Sequence, residues 1–301
     1  MSRTAGRRAF DLMESGLVPL MPWAPRLALG GAAGLGALRN RISRRWPAPE
    51  EVRQLFPRLD PATAARVAWK IGGLEARNRV LASCLRREGL SPLRPLVRNP
   101  AALAALRPPL LLGTFHVGAM HTLLPALERL PGPVLALRQG LLATPQAPVE
   151  VVSTEGDDQR RAAVFQRALA HLGAGGFVVL ALDVAPGPGL RVPCLGRTLE
   201  LARGPFALAR LTGAPLMPLV ARWTAPWKQG GVEIVTSEAL TPSARLSPGE
   251  RERGVASTDP AWEGALATAA ASWLERYLLE APAELGLGLL RALLTSPPAA
   301  H

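Results

Sequence analysis

From Pro108 onward the chain alternates short apolar runs with amphipathic stretches and turn residues, and this alternation restricts its fold more than any other feature. Short apolar runs separated by helix-length segments read as strands of a largely parallel sheet joined by crossover helices. The runs are Leu110 to Thr114, Val134 to Leu137, Val149 to Val152, Phe177 to Leu182, Pro215 to Ala221 and Val232 to Val235. A helix is expected from about Gln159 to Leu172, closed by Gly173, and another from Leu199 to Leu211 ahead of Thr212-Gly213. The expected fold is therefore α/β: a single domain over 46–301 with a mostly parallel central sheet flanked by helices, the sheet core spanning 108–236.

The flanks are helical in pattern. Over 50–98, Val52, Leu55 and Phe56 lead to Pro57; Pro61 then opens a run with Ala64, Val67, Ala68, Ile71 and Leu74 at helical spacing. C-terminal helices are expected over 260–294. One runs from about Pro260 to Leu279 with Trp262, Leu266, Trp273, Leu274 and Tyr277, is stopped by Pro282, and is followed by the short apolar segment Leu285 to Leu294. Residues 1–45 form a segment of their own, set off by Trp46-Pro-Ala-Pro. Arginines 3, 7 and 8 precede the apolar stretch Leu17 to Leu38, and arginines 39, 41, 44 and 45 follow it. Arg26 and prolines 19, 22 and 25 interrupt the stretch, so it lacks the run of about 18 apolar residues that a span requires. Two readings are open: an amphipathic segment lying at a membrane interface, or a glycine-rich helix packed on the protein's own core.

Composition narrows the partners. With 48% hydrophobic and 19% charged residues in 301, the chain can bury a large core and is not of the disordered type. The net charge is +12, and only Lys70 and Lys228 are lysines, so the basic charge is almost wholly arginine, whose planar fork binds phosphate and carboxylate. That suits a membrane surface or an acidic carrier protein. Nucleic acid is not expected as a partner, because aromatic residues are only 5%, the basic residues are scattered and no binding motif is recognisable. Cys84 and Cys194 provide neither a disulfide framework nor a zinc spacing. There is no Walker A pattern, and no dinucleotide fingerprint follows a strand.

The chemistry concentrates in Leu110-Leu-Leu-Gly-Thr-Phe-His116-Val-Gly-Ala-Met-His121, where a strand hands over to a helix. The carboxyl ends of strands are where α/β folds collect ligands and reactive side chains. Asp183, which ends its own apolar strand, occupies the matching place and would open on the same rim. The bland alternatives remain: histidines satisfied by backbone groups, and an aspartate capping the Pro-Gly turn that follows it. Val192-Pro-Cys-Leu-Gly196-Arg197 and then Arg203-Gly204-Pro205-Phe206 at the start of a helix combine glycines, helix amides and arginines in a way that suits an anion, although Gly-Pro ahead of a helix is also ordinary turn chemistry.

In their order and spacing these pieces resemble the bacterial lysophospholipid acyltransferase superfamily, and within it the lipid A late-acyltransferase branch. The resemblance is carried by the basic N-terminal segment with Val52-Arg-Gln-Leu-Phe-Pro57, by the strand with His116 and His121, by the strand ending in Asp183 after Gly175-Gly176, by Val192 to Arg197, and by Gly204-Pro-Phe-Ala-Leu-Ala-Arg-Leu-Thr-Gly-Ala-Pro-Leu-Met-Pro218. It implies transfer of a fatty acyl chain from an acyl carrier protein or CoA thioester to a hydroxyl or amine of a lipid or glycolipid acceptor. The place implied is the cytoplasmic face of the inner membrane, with no cofactor. It implies His116 as the general base, a role suited to an imidazole that titrates near working pH. Arg138, Gly196, Arg197, Arg203 and Gly204 become candidates for binding substrate.

The chain departs from the family at two places. His121 stands where the family has an acid, so it could fix the tautomer of His116 but supply no negative charge; Asp183 is the candidate to supply it. The stretch between Arg138 and Val149 is short, so the acceptor need not be lipid A. A set of two histidines and an aspartate also matches zinc donor chemistry, but with no fourth ligand evident no metal is expected. The alternative function is a weakened or inactive relative that binds lipid or acyl carrier protein as an accessory.

Overall fold

The computed structural model describes residues 12–43, 47–89, 91–99, 101–138, 149–184, 188–224, 231–241 and 261–299, without the side chains of Arg26 and residues 40–43. Arginines 3, 7, 8, 44 and 45, the short stretch after Arg138 and most of the polar loop Thr241 to Asp259 lie outside the described residues.

Residues 12–17 are helical and pass through a tight turn, Val18–Leu20, into α1 (Pro25–Ser43). Then come α2 (Pro49–Leu55) and α3 (Pro61–Glu88). Helix α3 starts where the sequence marks it, because Asp60 accepts a hydrogen bond from the Thr63 N–H at 2.9 Å and Pro61 takes the first helical position. A short α4 (Ala101–Ala104) leads to β1 (Leu110–Gly118), α5 (Leu123–Leu127), β2 (Val134–Arg138) and β3 (Val149–Ser153). Helix α6 (Asp158–Gly173), capped by Asp157, precedes β4 (Phe177–Ala181). A hairpin of β5 (Leu190–Cys194) and β6 (Arg197–Leu201) follows, then α7 (Arg203–Thr212), β7 (Leu216–Trp223), β8 (Val232–Thr236), α8 (Ala261–Glu280) and α9 (Leu287–Thr295).

The sheet has the order β3-β2-β4-β1-β7-β8 and is parallel except at β8, which pairs antiparallel with β7. The chain leaves β1 toward the β3 edge, returns to β4 and crosses to β7, so β1 and β4 lie side by side where the winding reverses. That is the position at which open α/β sheets leave a crevice beyond the strand ends. Side chains alternate between two apolar layers: Leu111, Phe115 and Val117 of β1 join Phe206 and Leu274, while Leu110 and Leu112 join Leu29, Val80 and Leu81.

Two expectations are corrected. Leu199 to Leu201 belong to strand β6, and the helix begins only at Arg203. The strand carrying His116 continues past Thr114 to Gly118, so the histidine sits within its last turn of extended chain. The hairpin eluded the sequence because its two-residue loop is Leu195-Gly196, with φ of 50° and 69°; such loops are ordinarily announced by Asn-Gly or Asp-Gly.

Helix α1 packs on α3 through Ala28, Leu29, Ala32, Ala33 and Ala37, all buried. At the crossing, a Cβ on Gly36 would stand 2.3 Å from the Ala76 Cβ, so only glycine allows this approach. The inner face of this segment is thus part of the core. Its outer face carries exposed Leu12, Met13, Leu20, Trp23, Leu27 and Leu38. Among the described residues, no helix is long and apolar enough to cross a membrane.

Candidate active site

The parallel register of β1 and β4 brings His116 and Asp183 together. Leu110 lies opposite Phe177, Leu112 opposite Val179 and Thr114 opposite Ala181, and continuing this step by two residues sets His116 beside Asp183. Both side chains point to the same face, since period-2 alternation puts 110, 112, 114 and 116 on the side shared by 177, 179, 181 and 183. The carboxylate holds the histidine twice: Oδ1 lies 2.8 Å from Nδ1, and Oδ2 accepts from the His116 backbone N–H at 2.8 Å. The end of the strand is fastened from behind as well. Asn78 donates from Nδ2 to the Gly118 carbonyl at 2.9 Å, and Gly286, at the start of α9, lies so close that a Cβ there would be 2.3 Å from the His116 carbonyl oxygen.

This geometry fixes the imidazole's tautomer. Asp183 is only 3% exposed in its side chain and acts as an acceptor, so Nδ1 carries the proton and Nε2 is left to accept one. Among the described residues nothing bonds Nε2, and the His116 side chain is 41% exposed, lining a cavity. Burial alone would push the His116 pKa down, but the hydrogen bond and charge of Asp183 outweigh it and raise the value above 6.5.

His121, in the turn Met120–Thr122, lines the same cavity, but the bond to His116 Nδ1 belongs to Asp183 rather than to it. Burial first, then the charges of Arg138, His116 and Arg86, push the His121 pKa down to about 4. The two histidines therefore divide: His116 holds its proton more readily than an ordinary imidazole, and His121 is neutral at neutral pH. Titration of the imidazole resonances by NMR should show His116 changing charge above 6.5 and His121 only near about 4. Simultaneous titration of both near 6.5 would contradict this division.

The cavity measures about 660 Å³, within the usual range for small-ligand sites. Its apolar wall includes Leu123, Leu124, Leu127, Val164, Phe165 and Leu208. Its ionisable lining is His116, His121, Arg138, Arg161 and Arg203, with Thr114 and Thr154 beside them and no aspartate or glutamate among the described lining residues. Arg138 ends β2, where burial and the Arg86 charge lower its pKa. Gly204 also lines the cavity at the start of α7. Gly196 and Arg197 do not. Gly196 is in the turn of the β5–β6 hairpin and Arg197 opens β6, and residues 298 and 299 cover them: the Ala299 N–H donates to the Gly196 carbonyl at 3.2 Å, and the Arg197 backbone pairs with Pro298. Arg161 went unnoticed in the sequence, since nothing separates it from Arg160 beside it until the helix phase is known.

Among the described residues, no group of three His, Cys, Asp or Glu side chains is placed to hold a metal ion. Compared with models of known protein families and with curated protein sequences, the chain matches none.

Proposed function

We propose that the protein is an acyltransferase that moves a fatty acyl chain from an acyl carrier protein or CoA thioester to a hydroxyl, or an amine, of a lipid or glycolipid acceptor. The observation that carries this reading is a His–Asp pair, with Nε2 left to accept a proton, opening on an apolar cavity lined by arginines and histidines and, among its described lining residues, by no aspartate or glutamate. The apolar wall suits an acyl tail, and the arginines suit the phosphate that accompanies it on a carrier arm, on CoA or on a lipid headgroup.

In this mechanism Nε2 of His116 takes the acceptor's O–H proton as the oxygen attacks the thioester carbonyl carbon. The tetrahedral intermediate collapses with cleavage of the C–S bond, and the imidazolium returns the proton to the departing sulfur, giving an ester and a free thiol. Asp183 keeps Nδ1 protonated and offsets the charge that His116 acquires. His121, being neutral, serves as a hydrogen-bonding wall. Arg138 and Arg203 are the anion-binding candidates, with Gly204 beside Arg203. The active reading is favoured over an inert lipid-binding accessory because a carboxylate, rather than residue 121, holds Nδ1.

The proposed place of action is the cytoplasmic face of the inner membrane, with the protein docked through the outer face of residues 12–38. Trp23 is 88% exposed and Leu27 66%, values that suit insertion among lipid headgroups. Incubation of the protein with radiolabelled acyl thioesters and a membrane lipid extract should carry label into the lipid fraction, with one thiol released per acyl group moved. Binding of the acyl chain without transfer from any donor would favour the accessory reading instead.

A further inference from the structure

One buried carboxylate beside the cavity belongs to neither histidine. Glu263, in the first turn of α8, is 1% exposed and receives two arginines from the neighbouring helix α7. Arg203 donates from Nε to Oε2 at 2.7 Å, and Arg210 donates from Nε to Oε1 at 2.8 Å. The two arginines stand two helical turns apart and so project from one side of α7. Burial would raise the Glu263 pKa, but the hydrogen bonds and charges of both arginines outweigh it and hold the carboxyl below the usual range, so it stays ionised.

Two guanidinium groups share this one carboxylate. Arg210 is mostly enclosed, whereas the Arg203 side chain is 57% exposed and lines the cavity. Arg203 is tied by Nε alone, and among the described residues its terminal nitrogens have no other hydrogen bond. Arg161, another arginine of the cavity, is held by Asp158, which is itself on the surface, and by the Gly156 carbonyl at 2.6 Å. An exposed pair such as Arg161–Asp158 fixes little, while a buried carboxylate of set position fixes the fork attached to it.

We propose that Glu263 is a positioning residue: it holds Arg203 at the cavity with the guanidinium edge turned to a phosphate group on an amphiphilic substrate. This rests on the reading of the cavity as an acyl-transfer site only for the identity of that substrate; the anion preference itself is a matter of binding. The phosphate could belong to the donor's carrier arm or to the lipid acceptor, and kinetics separate the two, since only the KM of the phosphate-bearing partner should respond.

The test compares binding of dodecyl phosphate and of uncharged dodecan-1-ol to the full chain by calorimetry. Glu263→Gln should weaken dodecyl phosphate about 10-fold or more and leave dodecanol within about two-fold, as should Arg203→Gln. The double variant should lose no more than either alone, because Glu263 acts through Arg203. In turnover, KM for one substrate should rise by a similar factor with kcat nearly unchanged. If Glu263→Gln does not fold, Glu263→Asp, which keeps the charge and shortens the reach, should still weaken dodecyl phosphate several-fold. Folded Glu263 variants that bind dodecyl phosphate like the wild type, or that lose dodecanol equally, would overturn the proposal. A wild type with the phosphate preference that transfers no acyl group would overturn the acyltransferase reading and leave the role of Glu263 standing.

Discussion

Replacing Asp183 by asparagine should lower the acyl-transfer rate by about 10²- to 10⁴-fold, the range associated with a positioned general base. The loss follows from counting donors. In the native site both carboxylate oxygens accept, one from the His116 backbone N–H and one from Nδ1. Asparagine has one oxygen and one NH₂, so satisfying the backbone N–H points the NH₂ at Nδ1 and forces the proton onto Nε2, the nitrogen that must accept one. The pH dependence has a sign as well. Burial drives the His116 pKa down and Asp183 is what raises it, so the residual activity of Asp183→Asn should lose its acid limb at a lower pH than the wild type does. A variant with wild-type rate, or a limb shifted upward, would remove Asp183 from the mechanism. Thermal melting of the variant checks that the sheet is intact.

The double substitution Trp23→Asp and Leu27→Asp should reduce binding to vesicles of phosphatidylethanolamine and phosphatidylglycerol by about 100-fold or more. Burying each such side chain is worth about 1.5–3 kcal/mol, and every 1.4 kcal/mol is a factor of ten. Leu38 returns to the face of Leu27 after three turns of α1, so the exposed apolar side is a stripe rather than a point. The fold should tolerate the change, because the packing on α3 is made by Ala28, Leu29, Ala32, Ala33 and Ala37 on the other side. Co-sedimentation measures the binding and circular dichroism checks the fold. Undiminished binding by the folded variant would place the membrane contact elsewhere.

The alternation of strand and helix from Pro108 was legible because parallel strands buried on both faces are written as uninterrupted apolar runs, as in Phe177-Val-Val-Leu-Ala. The N-terminal stretch carried two legible patterns at once. Glycines and alanines specify a close helix crossing, and Trp23, Leu27 and Leu38 an exposed apolar stripe, and the structure assigns them to opposite faces. What the sequence left open was pairing across strands. His116 and His121 are near in sequence and share a cavity, whereas the partner of His116 is 67 positions away and is set by the register of β1 on β4, which apolar runs of similar length do not encode. Glu263 lay hidden for the same reason: it meets Arg203 and Arg210 only through the packing of α8 on α7. A glycine beside an arginine reads alike in a hairpin and in an anion-binding loop; the structure places Gly196 and Arg197 in the β5–β6 hairpin, outside the cavity lining and covered by Pro297 to Ala299.

The most direct test of the central claim is acceptor-dependent thiol release from acyl carrier protein and acyl-CoA thioesters in the presence of membrane lipid, comparing the wild type with His116→Ala. The account predicts turnover by the wild type and a loss of about 10²- to 10⁴-fold in the variant, with acyl-chain binding retained. Equal turnover by the two proteins, or none by the wild type with any donor, would contradict it.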